Sequence, residues 1–228
     1  MILVTYYLNQ LPIPQRENVR DLGLILSKNL KWSKHVSTIA AKASITSYTI
    51  LRAFQNSDIH TLLTLYKTHV RPQLEYETSI WNPNLIRDKT CVERVQKRFT
   101  KRLLQRNNIK FYSYSDRLEI LGLDSLEARR VKLDIILMYK LVNNLIDVDY
   151  NQLFNDSFPP HTYNLRGHPN KLHLPKYSGS TIRHNFFSNR ILNIWNKLPG
   201  DLINSTNLQI FKSQLQKLDI SQITNIVF

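Results

Sequence analysis

The stretch Leu65 to Arg106 reads LYKTHVRPQLEYETSIWNPNLIRDKTCVERVQKRFTKRLLQR, and its second half has the period of a helix. At about 100° per residue, Val92, Val95, Phe99 and Leu103 fall in one narrow arc, the pattern of a core-facing stripe. Arg94, Lys97, Arg98 and Lys101 centre on the opposite side, with Arg102 on the flank. Asp88 suits an N-cap, which leaves Glu93 as the one acid expected within the helix. A solvated helix face usually mixes signs, because Glu–Lys pairs at helical spacing add stability. This face hardly does, and like charges three and four apart repel by roughly a few tenths of a kcal/mol each. A polyanion would offset that repulsion, so nucleic-acid contact is the preferred reading and bare solvation the alternative.

Composition points the same way. The chain has 228 residues, 42% hydrophobic and 21% charged, with 31 Lys+Arg against 17 Asp+Glu and a net charge of +14. That is a globular composition, long enough for one large domain or two small ones. The cationic surplus favours phosphate-bearing partners, since Lys and Arg displace counterions condensed on a nucleic-acid backbone. An anionic membrane surface is the weaker alternative, because neither a long apolar span nor a lipidation motif occurs. The start, Met1-Ile-Leu-Val-Thr-Tyr-Tyr-Leu, lacks the basic lead-in and length of a signal peptide. Cys91 stands alone, which excludes an intramolecular disulfide and any zinc site needing a cysteine pair. An intracellular location, cytoplasmic or nuclear, is therefore expected.

Upstream, residues 1–32 read as a β-hairpin segment: Ile2–Leu8, a turn at Asn9-Gln10, and a second apolar run over Val19–Leu26. Ser33 is expected to cap a helix running to about Phe54, with Val36, Ile39, Ala40, Ala43, Ile50, Leu51 and Phe54 inward. No acid falls between Asp21 and Asp58. Asp58 caps the next helix, which Pro72 should kink or interrupt. With the charged helix these make a bundle over 33–108. A second helical group, 109–146, has a short helix from Asp116 to Leu121 stopped by Gly122. Asp124 and Glu127, at capping-box spacing, then precede a helix presenting Val131, Ile135, Met138, Val142 and Leu145. Residues 147–182 carry Pro159-Pro160, Arg166-Gly167 and Pro169, the marks of an irregular basic loop. A C-terminal helical unit, 183–228, closes the chain. The fold class is thus mainly α, with an N-terminal β-hairpin.

Several of these segments resemble the region that follows the polymerase core in non-LTR retrotransposon reverse transcriptases of the jockey-like kind. Tyr66-Lys67, Val70-Arg71-Pro72, Leu74-Glu75-Tyr76, Trp81 and Pro83 match that wording, followed by Glu93, Val95-Gln96-Lys97-Arg98-Phe99-Thr100. Further matches are Val19-Arg20-Asp21-Leu22-Gly23; Tyr114, Arg117-Leu118; Leu126, Arg129-Arg130 and Asp134; and Phe186-Phe187, Arg190, Trp195-Asn196, Leu198-Pro199. The family's tight hairpin turn usually carries Gly where this chain has Gln10. The resemblance implies a thumb and C-terminal extension that grips an RNA/DNA template–primer duplex through backbone phosphates, beside a polymerase palm if a longer product supplies one. Arg94, Lys97, Arg98, Lys101 and Arg102 are the expected contacts, with Arg129 and Arg130 next. These last two have a structural alternative, pairing with acids such as Glu119 or Asp134.

Catalytic chemistry is not expected from this chain alone. Reverse transcriptases hold two metal ions on carboxylates, typically including an Asp-Asp turn, and the sequence contains no Asp-Asp. Asp147-Val148-Asp149 sits after a helix among loop signals and lacks a third carboxylate. His161, His168 and His173 fit no zinc spacing, so solvated loop histidines are expected, with no metal and no cofactor. Cys91 reads as a partly buried, inert thiol. Trp32, Trp81 and Trp195 read as core, whereas Tyr112 and Tyr114 are better placed for base stacking. Two other readings stay open: a degenerate element remnant with no activity, and a co-opted helical nucleic-acid-binding protein.

Overall fold

A computed structural model describes residues 6–148, 153–154, 171–172, 181–220 and 223–224. It is mainly helical, with small antiparallel hairpins at the N-terminus. The expected hairpin is double. Strand β1 (Tyr7–Leu8) pairs with β2 (Leu11–Pro12), and β3 (Asn18–Asp21) pairs with β4 (Leu24–Ser27). Each pair closes on a two-residue turn with both residues left-handed: Asn9 and Gln10 at φ 49° and 65°, Leu22 and Gly23 at 43° and 87°. That backbone matches the right-handed strand twist, so Gln10 takes the conformation that Gly would hold at less cost. The apolar run Val19–Leu26 therefore folds back on itself.

The first core is built on two long helices, α1 (Ser33–Ala53) and α5 (Ile86–Arg106). Their N-termini meet where Ser33 Oγ donates to Asp88 Oδ2 at 2.6 Å. Their C-termini meet where Arg106 Nη2 donates to the Leu51 carbonyl at 2.7 Å. The two helices thus run in the same direction for about 30 Å, at 1.5 Å per residue. Two capping expectations are corrected by these contacts. Ser33 is the first helical residue and turns its hydroxyl to the neighbouring helix, and Asp88 lies buried in the first turn of α5. Both side chains join helices rather than cap their own.

Between them the chain runs α2 (Ile59–Leu65), a π turn (Tyr66–Val70), α3 (Arg71–Glu75) and α4 (Thr78–Trp81). Asp58 caps α2, accepting from the Thr61 amide at 2.9 Å. The π turn is the answer to Pro72. Proline has no amide proton and its ring crowds the carbonyl four residues back. Widening one turn, with the Arg71 amide bonded to the Tyr66 carbonyl, lets the helix pass the proline with a local bulge. Glu77, at φ 51°, then breaks the chain before α4.

Helices α6 (Tyr114–Leu121) and α7 (Leu126–Val142) follow. Ser113 and Asp116 form a complete capping box on α6, and Gly122 at φ 56° ends it. The cap of α7 is Ser125, which accepts from the Ala128 amide at 3.1 Å. Asp124 instead accepts from Lys132 Nζ at 2.9 Å. Leu145 lies beyond the helix and is exposed, and Phe54, expected to face inward, likewise lies past the end of α1 and is exposed. Helix α7 belongs to two cores. Leu126 packs with Val92, Phe99 and Leu103, while Val131, Ile135 and Met138 pack with Ile191, Trp195 and Phe211. The last three come from α9 (Phe187–Trp195) and α11 (Leu208–Lys217), flanked by α8 (Thr181–His184) and α10 (Gly200–Ile203). Trp81 and Trp195 are fully buried, one in each core, each contributing at least the roughly 1.5–3 kcal/mol of a large apolar side chain.

Candidate nucleic-acid interface

Helix α5 sorts its residues as its period requires. Val92, Val95, Gln96, Phe99, Thr100, Leu103 and Leu104 are buried, while Arg94, Lys97, Arg98, Lys101 and Arg102 are all exposed. Why the outer face stays cationic is settled by Glu93. Its Oε1 accepts from the Tyr114 hydroxyl and, at 3.1 Å, from the Leu126 amide. The one acid of the middle turns is thereby spent inward, on the start of α7. Among the described residues, none of the five cations is in an ion pair. Lys97 leans over the Tyr114 ring, 4.8 Å from its centroid, a contact that leaves the ammonium free to meet an anion.

Behind this face lies a buried polar chain. The Tyr66 hydroxyl donates to Gln96 Oε1 at 2.8 Å, and Gln96 Nε2 donates to the Tyr114 hydroxyl and the Asp124 carbonyl, both at 2.9 Å. Burial and the Glu93 charge raise both tyrosines above the usual phenol range, so they act as hydroxyl donors throughout. Tyr66 also stacks on Phe99 with centroids 4.5 Å apart. A buried network of this kind favours one packing of α5 against α6 and α7, and so the direction in which the cationic face looks, although Glu93 Oε2 has no partner among the described residues.

Arg129 and Arg130 stand apart from that face. Arg129 makes a two-bond ion pair with Glu75, and Arg71 approaches the same carboxylate at 3.8 Å. Arg130 is 1% exposed; its Nε donates to Asn82 Oδ1 at 3.2 Å, while Nη1 and Nη2 have no partner among the described residues. Burial lowers its affinity for the proton. Neither Glu119 nor Asp134 is the acid that holds them. Asp134 is 2% exposed and belongs to Arg190, with Nε to Oδ2 at 2.9 Å and Nη2 to Oδ1 at 3.0 Å. The same guanidinium donates to the Ser79 carbonyl at 2.7 Å, so Arg190 clamps the C-terminal helices onto α4 and α7. Burial lifts the Asp134 carboxyl above its ordinary range, against the pull of Arg190.

Of the stacking candidates, Tyr112 is 97% exposed and Tyr114 is half-buried in the network just described. Cys91 is half-buried. No cluster of His, Cys, Asp and Glu able to hold a metal occurs among the described residues; His161, His168, His173 and Asp149 lie outside them. No described helix is long and apolar enough to cross a membrane. Cations not foreseen from the sequence are Arg106 and Arg52. They extend the charged face around the C-terminal end of α5 to α1, and only the acid-free run before Asp58 hinted at it.

This geometry can be set beside known proteins. The chain is 31% identical over 78 residues to a probable RNA-directed DNA polymerase from transposon X-element of Drosophila melanogaster, a match covering 33% of this chain and 9% of that protein. A third of the chain is thus similar to part of a transposon polymerase. A longer match, 29% over 133 residues, is to an uncharacterized protein of Caenorhabditis elegans and covers 58% of this chain and 65% of that one. The matches thus span less than two thirds of either relative. No protein-family model matches the chain, and no solved structure does.

Proposed function

We propose that this chain is a thumb-like, non-catalytic part of a retrotransposon RNA-directed DNA polymerase. In this reading Arg94, Lys97, Arg98, Lys101 and Arg102 grip the backbone of a template–primer duplex. The observation that carries it is the outer face of α5, where five exposed cations lack ion pairs among the described residues while Glu93 faces inward. The partial similarity to a transposon polymerase supports the same class. The bundle over 33–108 is the gripping unit, and in a longer product the N-terminal hairpins lead to a palm. Arg129 and Arg130, held by Glu75 and by burial, serve the fold and leave the grip to α5.

From Arg94 to Arg102 the face is about 12 Å long, the reach of about three to four phosphates along one strand. Such contacts hold register without reading sequence. Fluorescence anisotropy on duplex DNA and RNA·DNA hybrid across a salt series tests the idea. Neutralising Arg94, Lys97, Arg98 and Lys101 together to Gln should flatten the log–log slope on DNA by about 3, at roughly 0.9 per lost phosphate contact. An unchanged slope moves the site elsewhere on the molecule. Primer extension with the purified chain should give no product; extension would end the non-catalytic reading.

A further inference from the structure

Where α1 and α5 end side by side, the surface opens into a cleft of about 480 Å³ lined by Tyr48, Arg52, Gln55, Arg102, Gln105 and Arg106. We propose that this cleft binds a terminal phosphate monoester carried on a nucleoside, the end of a nucleic-acid strand. The proposal rests on the nucleic-acid reading above and extends it from the phosphodiester backbone to a strand terminus.

Charge is the first argument. Helix C-termini carry a partial negative charge, about half an elementary charge each, which arginines in the last turn offset. Arg106 does this directly through its bond to the Leu51 carbonyl. Two such ends call for about one positive charge, and the cleft supplies three guanidiniums. Among the described residues, no carboxylate lines it. About two positive charges are therefore left over, the complement of a phosphate monoester, which carries about −1.5 to −2 near neutral pH. A diester linkage carries only one. The planar fork of Arg suits phosphate oxygens in paired contacts.

Shape is the second argument. The cleft volume lies in the range of small-ligand sites, well beyond what a bare phosphate fills. Tyr48 is 51% exposed, offering a ring face to a base, and the amides of Gln55 and Gln105 offer donors and acceptors to a base edge or sugar. Arg102 belongs both to the α5 face and to the cleft, so a strand tracked along α5 would bring its end there.

The test uses the full chain with an internally labelled single strand ending in 5′-phosphate, 3′-phosphate or hydroxyl, and with adenosine 5′-monophosphate alone. Arg52→Gln and Tyr48→Ala change exposed side chains, and thermal unfolding checks that they leave the fold intact. The wild type should bind one phosphorylated end about tenfold more tightly than the hydroxyl end. R52Q should erase that preference, and Y48A should weaken binding of every strand end. Binding of the mononucleotide, lost in R52Q, without discrimination between strand ends would keep the cleft and make free nucleotide its ligand. Equal affinity for all ends with no mononucleotide binding overturns the cleft while salt-dependent duplex binding keeps the α5 reading. Loss of all nucleic-acid binding in the wild type overturns both.

Discussion

Removing the Asp134 carboxylate should uncouple the two cores. Asp134 is 2% exposed and meets Arg190 with bonds of 2.9 and 3.0 Å. The Arg190 side chain is itself only 15% exposed. Asp134→Ala leaves that guanidinium largely out of water with its charge unmatched, and breaking a buried pair in this way costs about 3–5 kcal/mol. With an m-value of about 2 kcal/mol/M, a loss of about 4 kcal/mol moves the urea midpoint by about 2 M. Circular dichroism supplies the midpoint, and hydrogen exchange shows where the loss falls. The amides of α9 should lose protection first, because Arg190 is their link to the Ser79 carbonyl on α4. Adding Arg190→Met removes the stranded charge, so the double variant should be less destabilised than the two single losses combined. A midpoint shift for D134A below about 0.5 M, equivalent to about 1 kcal/mol, would refute the clamp.

Other expectations follow from the same contacts. Arg130→Met removes a buried guanidinium whose two terminal nitrogens lack partners among the described residues. It should change stability by between zero and about +2 kcal/mol and leave duplex affinity unaltered; weaker binding would return Arg130 to the interface. His35 accepts from the Ile25 amide on Nδ1 at 3.3 Å, packs its ring edge-on to Trp81, and burial holds its pKa below 6.5. The unfolded chain therefore binds that proton first. Stability from this group is complete above about pH 6.5 and is lost as pH falls below it toward the folded-state value. His35→Gln should remove that slope from a denaturation series at pH 5 to 7, and an unaltered slope would assign it to another group.

Much of the fold was legible because apolar period and turn chemistry are local. The stripe Val92, Val95, Phe99 and Leu103 is buried as its spacing demands, and Asp58 and Gly122 act where the sequence puts them. The misread caps share one physical cause. Ser33, Asp88 and Asp124 are the residue types that cap helices, but Ser33 and Asp88 bond to each other across the bundle, and Asp124 is taken by Lys132 and Gln216. The double hairpin escaped notice because Leu22-Gly23 sits inside an apolar run. Its seating depends on Tyr76, whose hydroxyl donates to the Leu22 carbonyl at 3.1 Å.

The candidate interface raises a harder question, since composition counts charges without saying which are already spent. Arg129 and Arg130 look as available in the sequence as Arg94 and Lys97. Their difference lies in Glu75 and Asn82, roughly fifty residues upstream. The residues that carry the family resemblance are largely those that build the buried frame. Tyr66, Leu74, Trp81, Gln96 and Phe99 are in the core, Glu75 holds Arg129, and Tyr76 holds the hairpin turn. Those residues therefore bear on the packing of this chain before they bear on binding. The case for binding rests instead on Glu93 turning inward. By satisfying the start of α7, that carboxylate leaves the opposite face of α5 uniformly cationic, and the polar chain behind it keeps the face pointing outward. The same contact thus stabilises the fold and strips the outer surface of its counter-charge, which is why the basic face can be stable without a partner and still gain from meeting one.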